Sequence, residues 1–209
     1  GMDRNWRRLA ALACLAEKPR RVLDLGCGTG DLTISIARLA EKNPEIVGLD
    51  YSLPMLARAR EKASRAGAGD KVDFIHGDAS QLPFPDGHFD AVGISFAFRN
   101  LTYKNPLSSA HFAEVRRVLR PGGRYVIVES SQPDNRIIRG LFHLYLRAFV
   151  KPVGIMLSGN RGAYRYLAES MTRFYSPREV GEMLISAGFH DISYRPLLFG
   201  AAGLHIAIK

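Results

Sequence analysis

The feature that most constrains this chain is a glycine-rich stretch, Asp24–Gly30 (DLGCGTG), which stands between two patterns of different period. The apolar run Arg21–Leu25 before it is typical of a buried strand, and from Asp31 to Glu41 the apolar residues recur at helical spacing. Glycine lets a backbone turn sharply and approach a ligand without interference from a Cβ atom. The stretch therefore predicts a strand–loop–helix unit that binds a ligand at the carboxyl edge of a parallel sheet.

Short apolar runs alternate with helical patterns along most of the chain, which indicates an α/β fold with a parallel sheet. Seven strands are predicted, at 21–25, 45–49, 72–76, 89–96, 124–129, 189–196 and 204–209. Helices are predicted over about 31–41, 52–65, 109–119 and 176–187. Ser52 is expected to be an N-cap, and Ser176 and Glu179 have the spacing of a capping box.

One segment, 135–175, does not follow this alternation. It is strongly apolar and basic, and we interpret it as a helical cap inserted after the fifth strand, where it would cover a site at the carboxyl edge of the sheet. The chain is thus predicted to be a single domain over 2–209 that includes this cap.

Two aspartates end the next two strands. Asp50 is placed to accept hydrogen bonds from both hydroxyls of a ribose, and Asp78 can accept a hydrogen bond from the amino group of an adenine. The third glycine of the G-x-G-x-G loop comes one residue earlier than a dinucleotide site prefers, which disfavours a nicotinamide cofactor. The loop and both acids at three successive strand ends favour another adenosine-bearing cofactor; the alternative is that the acids only cap helices.

The chain carries 29 basic and 20 acidic residues, a formal charge of +9. This excess favours an anionic partner, such as nucleic acid, an anionic membrane surface or an acidic substrate, although a solvated basic face is the alternative. No apolar run approaches the roughly 18 residues that a membrane span needs. Cys14 and Cys27 are the only cysteines, which fits a reducing cytoplasm without a disulfide framework.

Five segments carry a resemblance to a known family: DLGCGTGDLT (24–33), LPFPDGHFDAVGISFAFRN (82–100), EVRRVLRPGGR (114–124), YRYLAES (164–170) and AGF (187–189). The first and third occur across many methyltransferases, whereas ISFAFRN and YRYLAES are more particular. On these segments the chain resembles the ubiquinone/menaquinone biosynthesis C-methyltransferases, which are class I enzymes that depend on S-adenosylmethionine.

The resemblance implies a Rossmann-like class I methyltransferase fold with a seven-stranded, mostly parallel sheet whose last strand is antiparallel. It implies that S-adenosylmethionine is converted to S-adenosylhomocysteine, and that the acceptor is a demethylated quinol with a polyprenyl tail, methylated at a ring carbon. The residues expected to bind the cofactor are Asp24, Gly26, Gly28, Thr29, Gly30, Asp50, Tyr51, Asp78, Ala79 and Ser95, with the glycines at its methionine end.

Arg99 and Asn100 follow the fourth strand, at the edge where an acceptor would lie. In C-methylation of a quinol, a phenol proton leaves as the carbon attacks, and a nearby cation stabilises the developing phenolate. We predict that Arg99 stabilises the phenolate, directly or through water, and that Asn100 orients the ring. The alternative is a structural Arg99 paired with Glu129 or Asp90. No metal-ligand spacing is apparent.

The substrate pocket is predicted to include Tyr164, Tyr166 and His205. His205 is a candidate for proton removal, with a structural histidine as the alternative, and core packing is the alternative for the tyrosines. Trp6 is a candidate for covering the site from an N-terminal helix, with simple packing as the alternative.

Three segments depart from the family pattern. The family normally has a further N-terminal helical segment, of which only Arg4–Arg7 resembles the end; 158–163 lacks an acidic triplet; and 129–133 has ESSQP where the family tends to have EFSKP. These departures leave two alternatives: a different hydrophobic small-molecule acceptor, or a cofactor-binding protein without activity. Nucleic acid is not expected, because SFAFRN (95–100) replaces the Asn/Asp-Pro-Pro-Tyr motif often found there in base-modifying enzymes.

The segment 136–157 also suggests where the enzyme would meet its acceptor. Arginines beside large apolar side chains suit peripheral contact with an anionic membrane surface, where a polyprenyl quinol resides. An ordinary amphipathic lid is the alternative. We expect a cytoplasmic protein that associates with the membrane, and a homodimer is one alternative for its oligomeric state.

Overall fold

The computed structural model describes residues 2–133, 139–140, 144 and 174–209. Within them, seven strands form one sheet in the order β3-β2-β1-β4-β5-β7-β6. The strands are β1 (Arg21–Leu25), β2 (Glu45–Asp50), β3 (Asp73–His76), β4 (Phe89–Ser95), β5 (Leu119–Ser130), β6 (His190–Leu197) and β7 (Ala202–Ile208). The first five strands pair in parallel, whereas β7 runs antiparallel to both β5 and β6. The predicted fold, including the antiparallel last strand, is confirmed.

Helices cover both faces of this sheet. They are α1 (Met2–Leu15), α2 (Asp31–Leu39), α3 (Leu53–Arg65), α4 (Phe98–Thr102), α5 (Ser108–Val118) and, after the undescribed part of the cap segment, α6 (Pro177–Ser186). One core lies between the sheet and the face made by α1 and α2, and includes Ala10, Cys14 and Leu32. The other lies under α4, α5 and α6, and includes Phe98, Phe112 and Leu184. The central strands are therefore buried from both sides, as their continuous apolar runs require.

The predicted boundaries differ from the observed ones mainly at β5. The strand begins at Leu119 instead of residue 124, because Leu119 already pairs with Phe89 before the register shifts. Between these parts the chain must come close to itself, since a Cβ atom on Gly123 would lie 2.8 Å from the carbonyl oxygen of Arg120. α4 was not predicted, because a helix of five residues is too short to show an apolar period.

The two predicted N-caps have different outcomes. Ser176 makes the full capping box: its Oγ accepts from the backbone N–H of Glu179, and its own N–H donates to the Glu179 carboxylate. Ser52 occupies the N-cap position of α3, but its side chain makes no capping bond and its N–H donates to Asp50 instead. The capping hydrogen bond predicted for the Ser52 hydroxyl is therefore absent.

None of the helices in the described part of the chain is long and apolar enough to span a bilayer. The cap predicted over 135–175 lies outside the described residues except for 139–140, 144 and 174–175. The cap, and with it the single-domain organisation, stays a prediction.

Candidate cofactor and acceptor site

The loop between β1 and α2 adopts a conformation that requires its glycines. Gly26, Gly28 and Gly30 all have positive φ, of 65°, 53° and 78°. A Cβ atom on Gly26 would lie 2.9 Å from the Cβ atom of Ala97, and one on Gly30 would lie 3.0 Å from the Phe74 ring. A Cβ atom on Gly28 would meet nothing within 4 Å. The loop is therefore packed against the protein on two sides and open above Gly28, where a ligand can approach the backbone.

The carboxylate of Asp50 fixes this loop to the next strand. Its Oδ2 atom accepts the backbone N–H of Gly28 at 2.7 Å, and its Oδ1 atom accepts that of Ser52 at 2.8 Å. Each carboxylate oxygen has a second lone pair. Asp50 can therefore hold both loops and still accept hydrogen bonds from a ribose.

A cavity of about 370 Å³ opens beside these loops. Its walls include six of the predicted site residues: Gly26, Asp50, Tyr51, Asp78, Ala79 and Asn100. Tyr51 is 74% exposed, and its ring lies 5.6 Å from that of His76. The Asp78 carboxylate accepts from the N–H and Oγ of Ser80, which lower its pKa, so the group is ionised. The cavity offers an acid at each of two neighbouring strand ends, as predicted from the sequence.

Asp24 is fully buried under the loop. Its Oδ2 atom accepts from the backbone N–H and the Oγ1 of Thr33, at 2.9 and 2.6 Å, and so joins the end of β1 to α2. Its Oδ1 atom has no hydrogen-bond partner. Burial raises the pKa of Asp24 to about 7, against the lowering effect of the Thr33 bonds. Asp24 thus combines a structural bond, which the sequence did not predict, with one unsatisfied acceptor.

The remaining predicted cofactor residues lie along the same edge. The Oγ of Ser95, at the end of β4, is buried and has no partner, and the Oγ1 of Thr29 donates to Asp31 at 3.1 Å. Two unsatisfied buried polar atoms, an open glycine loop and a cavity with two aspartates in its walls suit an adenosyl group with an amino-acid tail. The described residues therefore fit the predicted cofactor.

Arg99 lies in the first turn of α4, and Asn100 follows it. The Arg99 guanidinium carbon is 4.2 Å from the ring centre of Tyr103 and 5.2 Å from that of Phe174, and its Nε is buried without a partner. Asn100 is exposed and lines the cavity. Arg99 is thus held by stacking on aromatic rings, which leaves N–H groups for another ligand.

The structural alternatives for Arg99 are a pairing of its side chain with Asp90 or with Glu129. Asp90 binds the backbone N–H groups of Arg20 and Arg21 and the guanidinium of Arg120 instead. Glu129 does contact Arg99, but at its backbone N–H, at 3.3 Å.

Glu129 is a site residue that the sequence analysis treated only as a partner of Arg99. It is the penultimate residue of β5, is buried, and accepts the backbone N–H groups of Ser130 and Arg99, so it holds the start of α4. Burial raises its pKa to about 7. The signal that could have identified it is its position: it is an acid at a strand end, as Asp24, Asp50 and Asp78 are.

Of the three predicted substrate-pocket residues, His205 is the one that lies in the described part of the chain. His205 is buried on β7, does not line the cavity, and has its ring 4.7 Å from that of Tyr194. Burial lowers the pKa of His205 to about 4, so the ring is neutral near pH 7. Tyr164 and Tyr166 lie outside the described residues. All three assignments to the pocket stay predictions.

Comparison with known proteins is consistent with this site. The model of the ubiE/COQ5 methyltransferase family matches residues 1–209. The chain belongs to this family.

Curated relatives of the chain carry two kinds of name. This chain is 42% identical to a demethylmenaquinone methyltransferase of Thermus thermophilus over 99% of this chain and 90% of that protein. Identity to a protein of the same name from Deinococcus radiodurans is 43%, over 100% of this chain and 83% of that one. A protein from Pseudomonas savastanoi is named ubiquinone/menaquinone biosynthesis C-methyltransferase UbiE. It is 35% identical, over 100% of this chain and 80% of that protein.

Solved structures share the fold at low identity. A SAM-dependent methyltransferase from Aquifex aeolicus is 18% identical, with a TM-score of 0.62, over 90% of this chain and 81% of that chain. The [4+2]-cyclase SpnF is 22% identical, with a TM-score of 0.65, over 97% and 80%. Because a cyclase has this fold, the fold alone does not give the reaction. The reaction follows from membership of the family: this chain is a methyltransferase, and S-adenosylmethionine is its methyl donor.

The buried Glu129 gives a prediction for Glu129→Gln. The pKa of the Glu129 carboxyl is raised from 4.5 to about 7 in the folded protein, so folding favours its protonated form. Relative to the variant, the parent should therefore lose stability as the pH rises from 4.5 to 7, by at most about 3 kcal/mol.

Urea unfolding of both proteins between pH 5 and pH 8 measures this difference. Glu182→Gln, on the exposed side of α6, is the matched control: it retains Glu129, so its stability should change with pH as the parent's does. A stability difference between the parent and Glu129→Gln that stays constant over this range would contradict the prediction.

Proposed function

We propose that this methyltransferase transfers a methyl group to a ring carbon of a demethylated quinol, a precursor of menaquinone or ubiquinone. The names of its relatives support this acceptor, two of them at more than 40% identity over nearly the whole chain. The observation that carries the proposal is Arg99: a cation stacked on two aromatic rings, with a buried N–H free, next to a residue of the cavity wall.

The donor supplies an activated methyl group on a sulfonium when it is bound, so no side chain has to act as a nucleophile. The protein's contribution is to align donor and acceptor and to exclude water. Asp50 and the glycine loop would hold the adenosyl part, with Asp78 and Ala79 at the adenine. These contacts fix the position from which the methyl group leaves.

Arg99 and Asn100 would act on the acceptor. As the ring carbon attacks, negative charge develops on the phenol oxygen, and a guanidinium in a dry pocket stabilises that charge directly or through one water. Asn100 would orient the ring by a hydrogen bond. Glu129 supports both, because its carboxylate binds the backbone at the start of α4.

Transfer of a labelled methyl group to a panel of demethylated benzoquinols and naphthoquinols, with product identification, tests this function. We expect a product methylated at the ring carbon from at least one member. Transfer only to an unrelated hydrophobic small molecule would reassign the acceptor, and tight binding of S-adenosylhomocysteine without any transfer would indicate a cofactor-binding protein without activity.

Arg99→Lys should lower the rate of methyl transfer by about a hundredfold, which is typical for the loss of one oriented electrostatic contact. The affinity for S-adenosylhomocysteine should not change, because Arg99 is on the acceptor side. Single-turnover rates and calorimetric binding give the two quantities, with Arg178→Lys on the exposed side of α6 as the control. Unchanged turnover would remove Arg99 from the mechanism.

We also propose a cytoplasmic enzyme that binds the membrane surface reversibly through 136–157, since its acceptor resides there. In that segment Leu144 is 60% exposed, as a membrane-contacting side chain would be. Flotation with liposomes should show binding that increases with the fraction of anionic lipid and falls with salt. No binding to liposomes, either with or without anionic lipid, would contradict the proposed membrane contact.

The homodimer stays a prediction, which sedimentation of the purified enzyme tests.

A further inference from the structure

The order of the strands indicates which way the donor lies. Asp78 follows β3 and Asp50 ends β2, so the adenine and ribose are expected at that side of the carboxyl edge. The next strands along the edge are β1 and β4. The amino-acid part of the donor, which carries one ammonium and one carboxylate, therefore falls where β1 and β4 end.

Two buried polar atoms at this place have no partner. They are Asp24 Oδ1, at the end of β1, and Ser95 Oγ, at the end of β4. Asp24 faces α2, since its other oxygen binds Thr33. Ser95 shares the face of Gly93, where a Cβ atom would meet Cys14 of α1 and Leu32 of α2. Both atoms thus lie on the side of the sheet that α1 and α2 cover, and a buried acceptor without a partner points to a ligand.

Arg7 of α1 is the cation at the same place. Its side chain is only 21% exposed, donates to Asp3 at 2.7 Å, and lies with its guanidinium carbon 5.1 Å from the ring centre of Phe96. Its charge also reaches the acids of the loop. Burial raises the pKa of Asp24 and the charge of Arg7 opposes this; at Asp31, Lys62 and Arg7 together lower the pKa against burial. Arg7 therefore lies between the ends of β1 and β4.

The backbone after β4 is shaped to hold α1 in this position. Phe96 has a φ of +57°, which is uncommon for a residue with a side chain, and its N–H donates to Val128. In this conformation its ring packs against Trp6 at 6.2 Å and under Arg7. Strained backbone of this kind persists where the surrounding structure enforces it, often at ligand sites.

We propose that Arg7 binds the carboxylate of the donor's amino-acid part, opposite the unsatisfied oxygen of Asp24. The inference rests on the donor site described above and adds a role for α1: the helix completes that site. One Nη of Arg7 is used by Asp3, and the other N–H groups of the guanidinium remain for a carboxylate. Arg7 would thus bind the carboxylate of the amino-acid part, and the Asp24 carboxyl would lie by its ammonium.

Binding of S-adenosylhomocysteine and of its carboxamide, measured by calorimetry on the full chain, tests this role. The two ligands have nearly the same shape, but the amide lacks the negative charge and has an NH2 group in place of one carboxylate oxygen. The parent should bind the acid at least about tenfold more tightly than the amide, because the ion pair with Arg7 is partly buried. Arg7→Gln should bind the two within about twofold, with the loss confined to the acid. Arg7→Lys should retain part of the preference.

Two variants serve as controls. Arg8→Gln removes the exposed neighbouring cation on α1, and Asp3→Asn removes the partner of Arg7; both should keep the parent's preference for the acid. If Arg7→Gln weakens both ligands equally, Arg7 only holds α1 in place and the proposal is wrong. If it weakens neither, the proposal is also wrong. A parent that binds no S-adenosylhomocysteine would instead contradict the donor site as a whole.

Discussion

The site depends on one carboxylate, that of Asp50. It accepts one backbone N–H from the glycine loop after β1 and one from the start of α3, so two of the connections that line the cavity are tied to the end of a single strand. The loop itself needs positive φ at three glycines, and such a conformation needs an anchor. Because each oxygen keeps a free lone pair, the anchor of the loop can also be the acceptor for a ribose.

Acids at other strand ends serve the same arrangement at a cost in stability. Asp24 and Glu129 are both buried, and burial raises the pKa of each to about 7. Each is bound to the backbone of a helix: Asp24 to α2 at Thr33, and Glu129 to α4 at Arg99. Two helices beside the candidate site, α2 and α4, are therefore attached to the sheet by buried acids. The hydrogen bonds of these acids offset the cost of their burial only in part, as is common at functional sites.

The sequence was sufficient for the parts that depend on local periodicity and loop chemistry. Apolar runs located the seven strands, and the spacing of the glycines and aspartates indicated which side of the cavity would take the adenosyl group. Tertiary contacts could not be obtained this way. No local pattern shows that Arg7 lies beside Phe96, that Glu129 holds α4, or that Asp24 uses one oxygen for Thr33. The start of β5 was also misplaced, at residue 124 and not at Leu119, because Leu119 pairs with Phe89 ahead of the glycine turn.

We propose that the carboxyl edge from β3 to β4 holds the methyl donor, with its ribose on Asp50. A crystal structure of the enzyme with S-adenosylhomocysteine measures this directly. We expect both ribose hydroxyls within hydrogen-bonding distance of the Asp50 carboxylate, the adenine beside Asp78, and the amino-acid tail above Gly28. Density for the ligand at any other place, or a ribose that does not contact Asp50, would contradict it.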